Sequence, residues 1–395
     1  MRILILSFYF PPDLSAGSFR TKSLTDALIR STDDELEIEV ITTLPNRYSN
    51  TNYSSNEETI FNKKIKVKRI EIFKHKNGFI DQSLSFLSYF TEVIKYSKHN
   101  EWDIIYATSS RLMTAFLGAI ISKKKKTPLY LDIRDIFTDV LKDLYPLKVG
   151  YIVRPFFLMI EKFTYKNACQ INIVSRGFQK HVVKLSKEKK ISNHTNGIDE
   201  KFFTKEIVLT KDKINYPIKI LYAGNIGLGQ GLENIVPEIA IQLNKEIEFT
   251  IIGGGNRTKI LQDIIIKKNI NNVKIQNPIS QEKLFKKYND FDILFLHLNN
   301  FSAYEKVIPS KIFEYAATGK PILAGVKGYA RQFIENEIEG AYIFRPNDHE
   351  ELLKKIKSIK LNNSIYDRSD FFHKFKRNSI MDNMSKDILK LYQKI

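Results

Sequence analysis

Val307-Ile-Pro-Ser-Lys-Ile-Phe-Glu-Tyr-Ala-Ala-Thr-Gly-Lys-Pro-Ile-Leu-Ala-Gly325 reads as a loop, a short helix and a buried strand in succession. Ser310 is placed to cap the helix, and Lys311–Thr318 supply about two turns. Gly319 suits the position after the last turn, because that position needs a left-handed backbone. The apolar residues 322–324 then enter a sheet. A helix that leads into a buried strand predicts an α/β fold in this part of the chain.

The start of this predicted helix has the composition of an anion site. Pro309 leads into Ser310 and Lys311, so a hydroxyl and an ammonium group adjoin free backbone N–H groups. Such groups and the helix dipole favour a phosphate. Glu314 lies one turn further on the same face, where its carboxylate would accept hydrogen bonds from a ribose. The segment therefore predicts a diphosphate-binding site with a ribose-binding carboxylate beside it.

The length of the chain sets the number of domains. At 395 residues, with 43% hydrophobic side chains, the chain is longer than an average single domain. Two domains of roughly 150–200 residues are therefore expected. No run of apolar residues approaches the roughly 20 that span a bilayer. The formal net charge of +18 indicates an anionic partner, although a lysine-rich composition alone would also produce it. No nucleic-acid-binding motif is present, so we expect no nucleic acid partner.

Strand and helix signals alternate through both halves of the chain. Apolar runs at 3–8, 36–42, 104–107 and 129–132 are separated by helical patterns, and the alternation restarts at residue 219. Such alternation predicts parallel sheets with crossover helices, in two α/β halves facing a cleft. We predict an N-terminal acceptor domain at 1–205, a nucleotide-sugar domain at 206–375, and a helix at 376–395 that packs back toward the first domain. The charged stretch 199–217 is the candidate linker.

Three glycine-containing loops follow predicted strands. Gly17 lies in the first, after strand one, and the second is Tyr222-Ala-Gly-Asn-Ile-Gly-Leu-Gly-Gln-Gly-Leu232. The third is Ile251-Ile-Gly-Gly-Gly-Asn-Arg257. Glycine permits close approach of a ligand to the backbone, but each loop alone is also compatible with a tight turn. The candidate donor-binding residues are Gly17 in the first loop and, in the second and third loops, Gly224, Asn225, Gly227, Gln230, Gly231, Gly253, Gly254, Gly255 and Arg257.

Together these motifs resemble those of the family 4 retaining glycosyltransferases. The resemblance rests on Tyr222-Ala-Gly-Asn-Ile-Gly227 followed by Gln230-Gly-Leu232, on Asn196-Gly-Ile-Asp199, and on the segment from Pro309 to Pro321. The pattern Phe10-Pro-Pro12 followed by Gly17, the run Ile252–Gly255, and Asp132-Ile-Arg-Asp135 extend it over the whole chain. The bacterial surface-polysaccharide branch, including N-acetylfucosamine and other aminosugar transferases, is the most similar.

The resemblance implies a GT-B fold with two Rossmann-like domains. It also implies transfer of a sugar from a nucleoside diphosphate, with retention at the anomeric carbon and without a metal or other cofactor. Lys311 would stabilise the leaving diphosphate and Glu314 would hold the ribose. Asp132, Arg134 and Asp135 would orient a lipid-linked or oligosaccharide acceptor; alternatively they form a structural ion pair.

Two features depart from the family pattern. The first acid of the usual Glu-x7-Glu pair is replaced by Lys306, and Glu305 is one residue away. The donor loop carries Asn225 and Gln230 where Arg and Lys are common. We therefore expect Lys311, Arg257 or Lys306 to supply the positive charge.

Aromatic and basic residues are combined in two helical segments, Phe79–Lys98 and Tyr145–Phe163, and Lys123–Lys126 form a basic run. This combination suits the surface of an anionic membrane. We therefore expect a cytoplasmic protein bound peripherally to the inner face of the cell membrane. The alternative is that the aromatic residues form core and the lysines a solvated face.

Two other functions share the expected fold. A nucleotide-sugar-binding protein without transferase activity would explain the missing cations of the donor loop. A sugar epimerase would require catalytic acids and histidines in the cleft, and the sequence shows no convincing set of them.

Overall fold

The computed structural model describes residues 1–13, 15–32, 36–45, 57–60, 64–72, 79–144, 147–202, 216–359 and 365–393. The chain forms two compact units, one of Met1–Asn196 with Arg377–Ile395 and one of Gly197–Lys376. The predicted boundary between residues 205 and 206, and most of the predicted linker, lie outside the described residues.

The first unit alternates strands and helices as the sequence predicts. Its elements are β1 (Arg2–Leu6), α1 (Ala16–Arg30), β2 (Glu37–Thr43), β3 (Glu57–Ile60), β4 (Ile65–Ile70), α2 (Phe79–Ser97), β5 (Ile104–Thr108), α3 (Leu112–Lys125), β6 (Leu129–Ile133), α4 (Phe137–Leu144), α5 (Leu147–Asn167), β7 (Gln170–Ile173), α6 (Gln179–Ser186) and β8 (Lys190–Ser192).

These described strands form one sheet in the order β3-β4-β2-β1-β5-β6-β7-β8. All neighbours are parallel except β3, which is antiparallel to β4. Strands β1, β5 and β6 are almost wholly buried, since crossover helices cover both faces of a parallel sheet. Their carboxyl ends, including Asp132, therefore lie at one edge of the sheet.

The second unit repeats this design with a smaller sheet. Its elements are β9 (Ile218–Asn225), α7 (Val236–Gln242), β10 (Ile247–Gly254), α8 (Thr258–Lys267), β11 (Val273–Gln276), α9 (Gln281–Lys287), β12 (Ile293–His297), α10 (Lys311–Ala316), β13 (Ile322–Gly325), α11 (Gly328–Glu337), β14 (Ala341–Phe344), α12 (His349–Ser358) and α13 (Ser369–Lys374). The chain then returns to the first unit with α14 (Arg377–Tyr392).

Within the described part of the second unit the strand order is β11-β10-β9-β12-β13-β14, with parallel neighbours throughout. The predicted α/β architecture of two parallel-sheet domains is thus confirmed. The helical apolar pattern of residues 232–243 does not form a single element. It is divided at Ile235, whose φ of -124° is not helical, into a 3-10 turn at Leu232–Asn234 and α7.

Helix α14 packs on α1 within the first unit. Its Met384 and Ile388 are fully buried in the same core as Ile3, Leu24 and Leu28. The apolar spacing seen in the sequence at the C-terminus is therefore the buried face of this helix.

Candidate functional site

The candidate donor residues of the second unit converge at the carboxyl edge of its sheet. Strands β10, β9 and β12 are parallel neighbours, so the loops that follow them leave from the same edge. The last residues of two of these strands are paired in register, Gly254 with Asn225. The segment before α10 enters from the β12 side of the same edge.

The loop after β9 forms a tight turn from Gly227 to Gly231. The N–H groups of Gln230 and Gly231 donate to the Gly227 carbonyl at 3.0 and 3.2 Å. The N–H groups of Gly227, Leu228 and Gly229 donate to no acceptor in the part of the chain that the structure describes. Successive unpaired N–H groups in a turn resemble a helix N-terminus and favour an anion.

Asn225 and Gln230 flank this turn and are bonded to each other. The Asn225 Nδ2 atom donates to Gln230 Oε1 at 2.9 Å. At these positions the family 4 glycosyltransferases, which the sequence resembles, commonly have Arg and Lys. The side chains here contribute dipoles and not charge, so the positive potential of the turn comes from the backbone.

Two side chains on and after β12 hold the turn in place. The backbone N–H of the buried Asn299 donates to the Gly229 carbonyl at 2.8 Å, and its Nδ2 donates to the Leu228 carbonyl at 2.9 Å. His297 Nδ1 donates to the Gln230 carbonyl, and its Nε2 accepts from the Asn347 N–H at 3.1 Å. Neither Asn299 nor His297 is among the site residues that the sequence predicts.

The buried position of His297 predicts a pH dependence of stability. Desolvation lowers the pKa of this imidazole from 6.5 to about 4, with the Gln230 carbonyl opposing the change. The unfolded chain therefore takes up a proton as the pH falls through 6.5, whereas the folded protein does not until about pH 4. We expect the second unit to lose about 2 kcal/mol of unfolding free energy between pH 7 and pH 5 through this residue.

Thermal denaturation of the wild type and of His297→Gln at both pH values checks this. The glutamine amide retains a donor but does not titrate, so the variant should lack this part of the loss. An identical loss in both proteins would contradict the assignment.

Most glycines of these loops are required by packing within the unit. A Cβ atom on Gly253 would lie 1.8 Å from the Gly224 carbonyl oxygen, and one on Gly255 would lie 2.4 Å from that of Ile226. A Cβ on Gly231, whose φ is +58°, would lie 2.8 Å from Asn299 Cγ. The glycines that the sequence assigned to a ligand surface therefore let the loops pack closely on one another.

Adjacent glycines of the third loop provide a matched test. Gly253→Ala forces Cβ against a backbone carbonyl, whereas Gly254→Ala places Cβ 3.5 Å from Pro278, an ordinary contact. We expect Gly253→Ala to cost about 2 kcal/mol or more, and Gly254→Ala to cost well under about 1 kcal/mol. Chemical denaturation of both variants checks this, and equal losses would contradict it.

The segment Val307–Gly325 differs from its predicted structure at the start of its helix. Ser310 has helical dihedral angles (φ -60°, ψ -27°), and its hydroxyl makes no capping bond. Ser310 therefore occupies the predicted N-cap position, but its side chain does not cap the helix, because a capping hydroxyl typically stands on an extended backbone. Helix α10 ends at Ala316, two residues earlier than predicted, while Gly319 has the expected positive φ of 67°.

Lys311 and Glu314 form an ion pair on α10. The Lys311 Nζ atom lies 2.6 Å from Glu314 Oε2, which also accepts from the Tyr288 hydroxyl at 3.0 Å. Gln281 Nε2 lies 3.5 Å from the other oxygen, Oε1, and donates to Asp199 at 2.9 Å. Burial, with repulsion from Glu314, raises the pKa of Tyr288 well above its usual value, so its hydroxyl stays protonated and keeps donating. Tyr288 and Gln281 were not identified from the sequence.

Arg257 lies at the start of α8, after the third loop. Its Nε donates to Glu233 Oε1 at 2.8 Å, and the carboxylate of Glu233 is almost buried. Glu305 pairs with Lys327 at 2.8 Å. The positive charges of Arg257 and Lys311 thus each have an acidic neighbour in this structure.

Asp132 belongs to the first unit and is fully buried. Its carboxylate accepts from Arg20 Nε at 2.8 Å and from Arg20 Nη2 at 3.0 Å. Tyr106 and Asn172 donate to the same carboxylate at 2.9 and 2.7 Å. These contacts match the structural ion pair that the sequence left open as the alternative, with Arg20 as the partner.

The other first-unit candidates lie closer to solvent. Asp135 is exposed and Arg134 is half-buried, with the Arg134 N–H donating to Ser109 Oγ at 2.9 Å. A Cβ atom on Gly17 would lie 3.7 Å from Ser110, so packing does not require glycine there. Gly17, Arg134 and Asp135 stay predictions.

No group of three or more His, Cys, Asp or Glu side chains is arranged to hold a metal ion in the described ranges. Among the same residues, the helices are all too short or too polar to cross a membrane.

Comparisons with known proteins agree with this geometry. Residues 206–379 match the family model of the glycosyl transferases group 1. The chain is also similar over its full length to solved structures of GT-B glycosyltransferases, and the two findings together support this class. Comparison with curated protein sequences gives no match.

Three of the solved structures illustrate the fold. Sucrose-phosphate synthase from Thermosynechococcus elongatus has a TM-score of 0.80 at 14% identity, with 100% of each chain covered. The Anabaena protein HepE, in complex with UDP-glucose, has a TM-score of 0.67 at 15% identity and 99% coverage of each chain. The lipopolysaccharide outer core galactosyltransferase WaaB has 0.63 at 13% identity, also with 99% of each chain covered. At these identities the likeness shows the GT-B fold.

Proposed function

We propose that the protein transfers an N-acetylated hexosamine or deoxyhexosamine from a nucleoside diphosphate to a lipid-linked or oligosaccharide acceptor, with retention. The observation that carries the proposal is the carboxyl edge of the second-unit sheet. There an anion-favouring turn, with three N–H groups that have no acceptor among the described residues, shares one edge with the Lys311–Glu314 pair. The family match over residues 206–379 supports the same donor class.

The donor would be held at two points. The N–H groups of Gly227, Leu228 and Gly229 would bind diphosphate oxygens, and Lys311 would add a positive charge. Glu314 would accept hydrogen bonds from the ribose hydroxyls. Tyr288 and Lys311 orient its carboxylate through bonds of 3.0 and 2.6 Å. The Anabaena neighbour was solved with UDP-glucose, which supports a uridine diphosphate donor as the first to be tried.

The proposed chemistry requires no metal and no separate base. The bond between the anomeric carbon and the diphosphate oxygen breaks, and the acceptor hydroxyl attacks on the same face. The departing diphosphate takes the acceptor proton as the new glycosidic bond forms. Negative charge grows on the leaving oxygen, so fixed N–H groups and Lys311 stabilise the transition state more than the ground state.

Acceptor binding is assigned to the first unit. Arg134 and Asp135 follow β6 at the carboxyl edge of its sheet and would orient the acceptor. We assign Asp132 a structural role, because its carboxylate is fully buried and paired with Arg20. We assign the protein to assembly of a bacterial surface polysaccharide, on the cytoplasmic face of the membrane.

A donor panel tests the proposal. Purified protein is incubated with UDP-, GDP- and dTDP-linked N-acetylated sugars and an acceptor mixture, in EDTA, and products are followed by NMR. We expect a glycoside with the anomeric configuration of the donor sugar. Binding without turnover would favour a nucleotide-sugar-binding protein, and isomerised sugar without transfer would favour an epimerase. Activity that EDTA abolishes would contradict the metal-free mechanism.

A further inference from the structure

The outward face of α5 in the first unit is apolar where an exposed helix face is normally polar. Ile152, Phe156 and Met159 expose 76%, 56% and 63% of their surface. Their spacing of four and then three residues places them on one helix face. We refer to these three residues as the α5 stripe.

The opposite face of α5 is fixed to its neighbours. The buried Glu161 carboxylate accepts from the Thr138 N–H at 3.1 Å and from the Thr138 hydroxyl at 2.7 Å, and lies 2.9 Å from His181 Nε2. Thr138 belongs to α4 and His181 to α6, so α5 is held between them. The α5 stripe therefore keeps its outward orientation.

A lysine cluster lies beside the C-terminal end of the stripe. Lys162 and Lys166 follow on α5, and Lys187 follows α6 directly. Lys162 and Lys166 are one turn apart on the same helix face. Desolvation, together with repulsion from Lys187 and Lys162, lowers the pKa of Lys166. An apolar stripe with a basic end is the pattern of an interfacial helix.

The stripe is also joined to the acceptor-side strand end. The Phe156 ring packs against Phe157 at 5.4 Å, and Phe157 against Phe137 at 5.0 Å. Phe137 is two residues after Asp135. A partner surface bound by the α5 stripe would therefore lie near the residues assigned to acceptor binding.

We propose that the α5 stripe docks the protein on an anionic lipid bilayer. Ile152, Phe156 and Met159 enter the boundary between headgroups and acyl chains, while the lysine cluster contacts lipid phosphates. This inference deepens the proposed function, since it names the surface that meets the membrane of a lipid-linked acceptor. Its test uses vesicles without sugars, so it fails or succeeds independently of the transfer reaction.

Charge favours an anionic bilayer over a second copy of the chain as the partner of the α5 stripe. A twofold dimer through the stripe would bring each cluster of three lysines to the same interface as its copy, at a cost from like-charge repulsion. Anionic phosphates instead compensate that charge. The net charge of +18 favours the same partner at long range.

Vesicle sedimentation of the full chain tests the proposal. We expect binding to vesicles of phosphatidylglycerol and phosphatidylcholine, weakened by high salt and weak on phosphatidylcholine alone. Lys162→Gln/Lys166→Gln/Lys187→Gln should lower the partition coefficient about 100-fold, at roughly fivefold per lysine. Ile152→Ser/Phe156→Ser/Met159→Ser should lower it by about tenfold per residue.

A matched control changes the same chemistry in the second unit. Ile266, exposed by 73%, and the exposed Lys259 and Lys267 lie on α8. Ile266→Ser/Lys259→Gln/Lys267→Gln should bind vesicles as the wild type does. Wild-type binding by the stripe variant, or no binding of the wild type at low salt, would overturn the proposal. A wild-type dimer that the stripe variant dissolves would assign the stripe to a second copy instead.

Discussion

Arg20→Met is expected to lower the unfolding free energy of the first unit by about 3–5 kcal/mol. The substitution leaves the carboxylate of Asp132, with 0% of its side chain exposed, without its charged partner. It also removes hydrogen bonds of 2.7 and 2.8 Å to the carbonyls of His194 and Thr195. A charge that is buried without compensation costs much more than the pair itself contributes.

The same helix supplies the control. Arg30 pairs with Asp382 at 2.7 Å, but the two side chains are 45% and 39% exposed. Arg30→Met should therefore cost no more than about 1 kcal/mol. The single tryptophan, Trp102, is buried in the first unit, so its fluorescence during urea denaturation reports on that unit. Similar losses of unfolding free energy in Arg20→Met and Arg30→Met would show that the Asp132 carboxylate does not depend on Arg20. Asp132 would then again be a candidate for acceptor binding.

Glu314→Gln is expected to weaken binding of the nucleoside diphosphate by about 10- to 150-fold. The amide keeps the shape of the side chain, but it loses the charge that makes bonds to ribose hydroxyls worth about 1.5–3 kcal/mol. It also breaks the 2.6 Å ion pair that orients the side chain on Lys311. Isothermal titration calorimetry with the diphosphate measures the effect.

Two comparisons separate a ribose role from a general disturbance. Glu335→Gln removes an exposed acid of α11 that pairs with Arg331 at 2.8 Å, and it should leave affinity unchanged. Titration with the free nucleoside should show a similar loss for Glu314→Gln, since the ribose is present in both ligands. A loss confined to the diphosphate would assign Glu314 to the phosphates through Lys311.

Local patterns predicted the architecture well because each unit alternates elements in chain order. The apolar runs at 3–8 and 129–132 became β1 and β6, and the restart at residue 219 became β9. The break at Ile235 depends on tertiary packing that periodicity does not report. The side chain of Ser310 does not cap α10 for a similar reason. A serine indicates a preference for the N-cap position, but it does not determine the backbone angles that a capping bond needs.

The site was predictable in position and less so in its contacts. Motifs placed Glu314 and the turn at Gly227–Gly231 in one unit, but not the bonds from Tyr288 or Asn299, which come from distant parts of the chain. The pairing of Arg20 with Asp132 spans 112 residues and left no local signal. Glycine runs were ambiguous, because close packing of two loops and close approach of a ligand require the same residue.

The most direct test of the account is calorimetric titration of the wild type and Glu314→Gln with UDP, GDP, ADP and dTDP. At least one of these diphosphates should bind the wild type, and the variant should bind that ligand at least about tenfold more weakly. Absence of binding by all four, or equal affinity in both proteins, would contradict a nucleotide-sugar site at the carboxyl edge of the second-unit sheet.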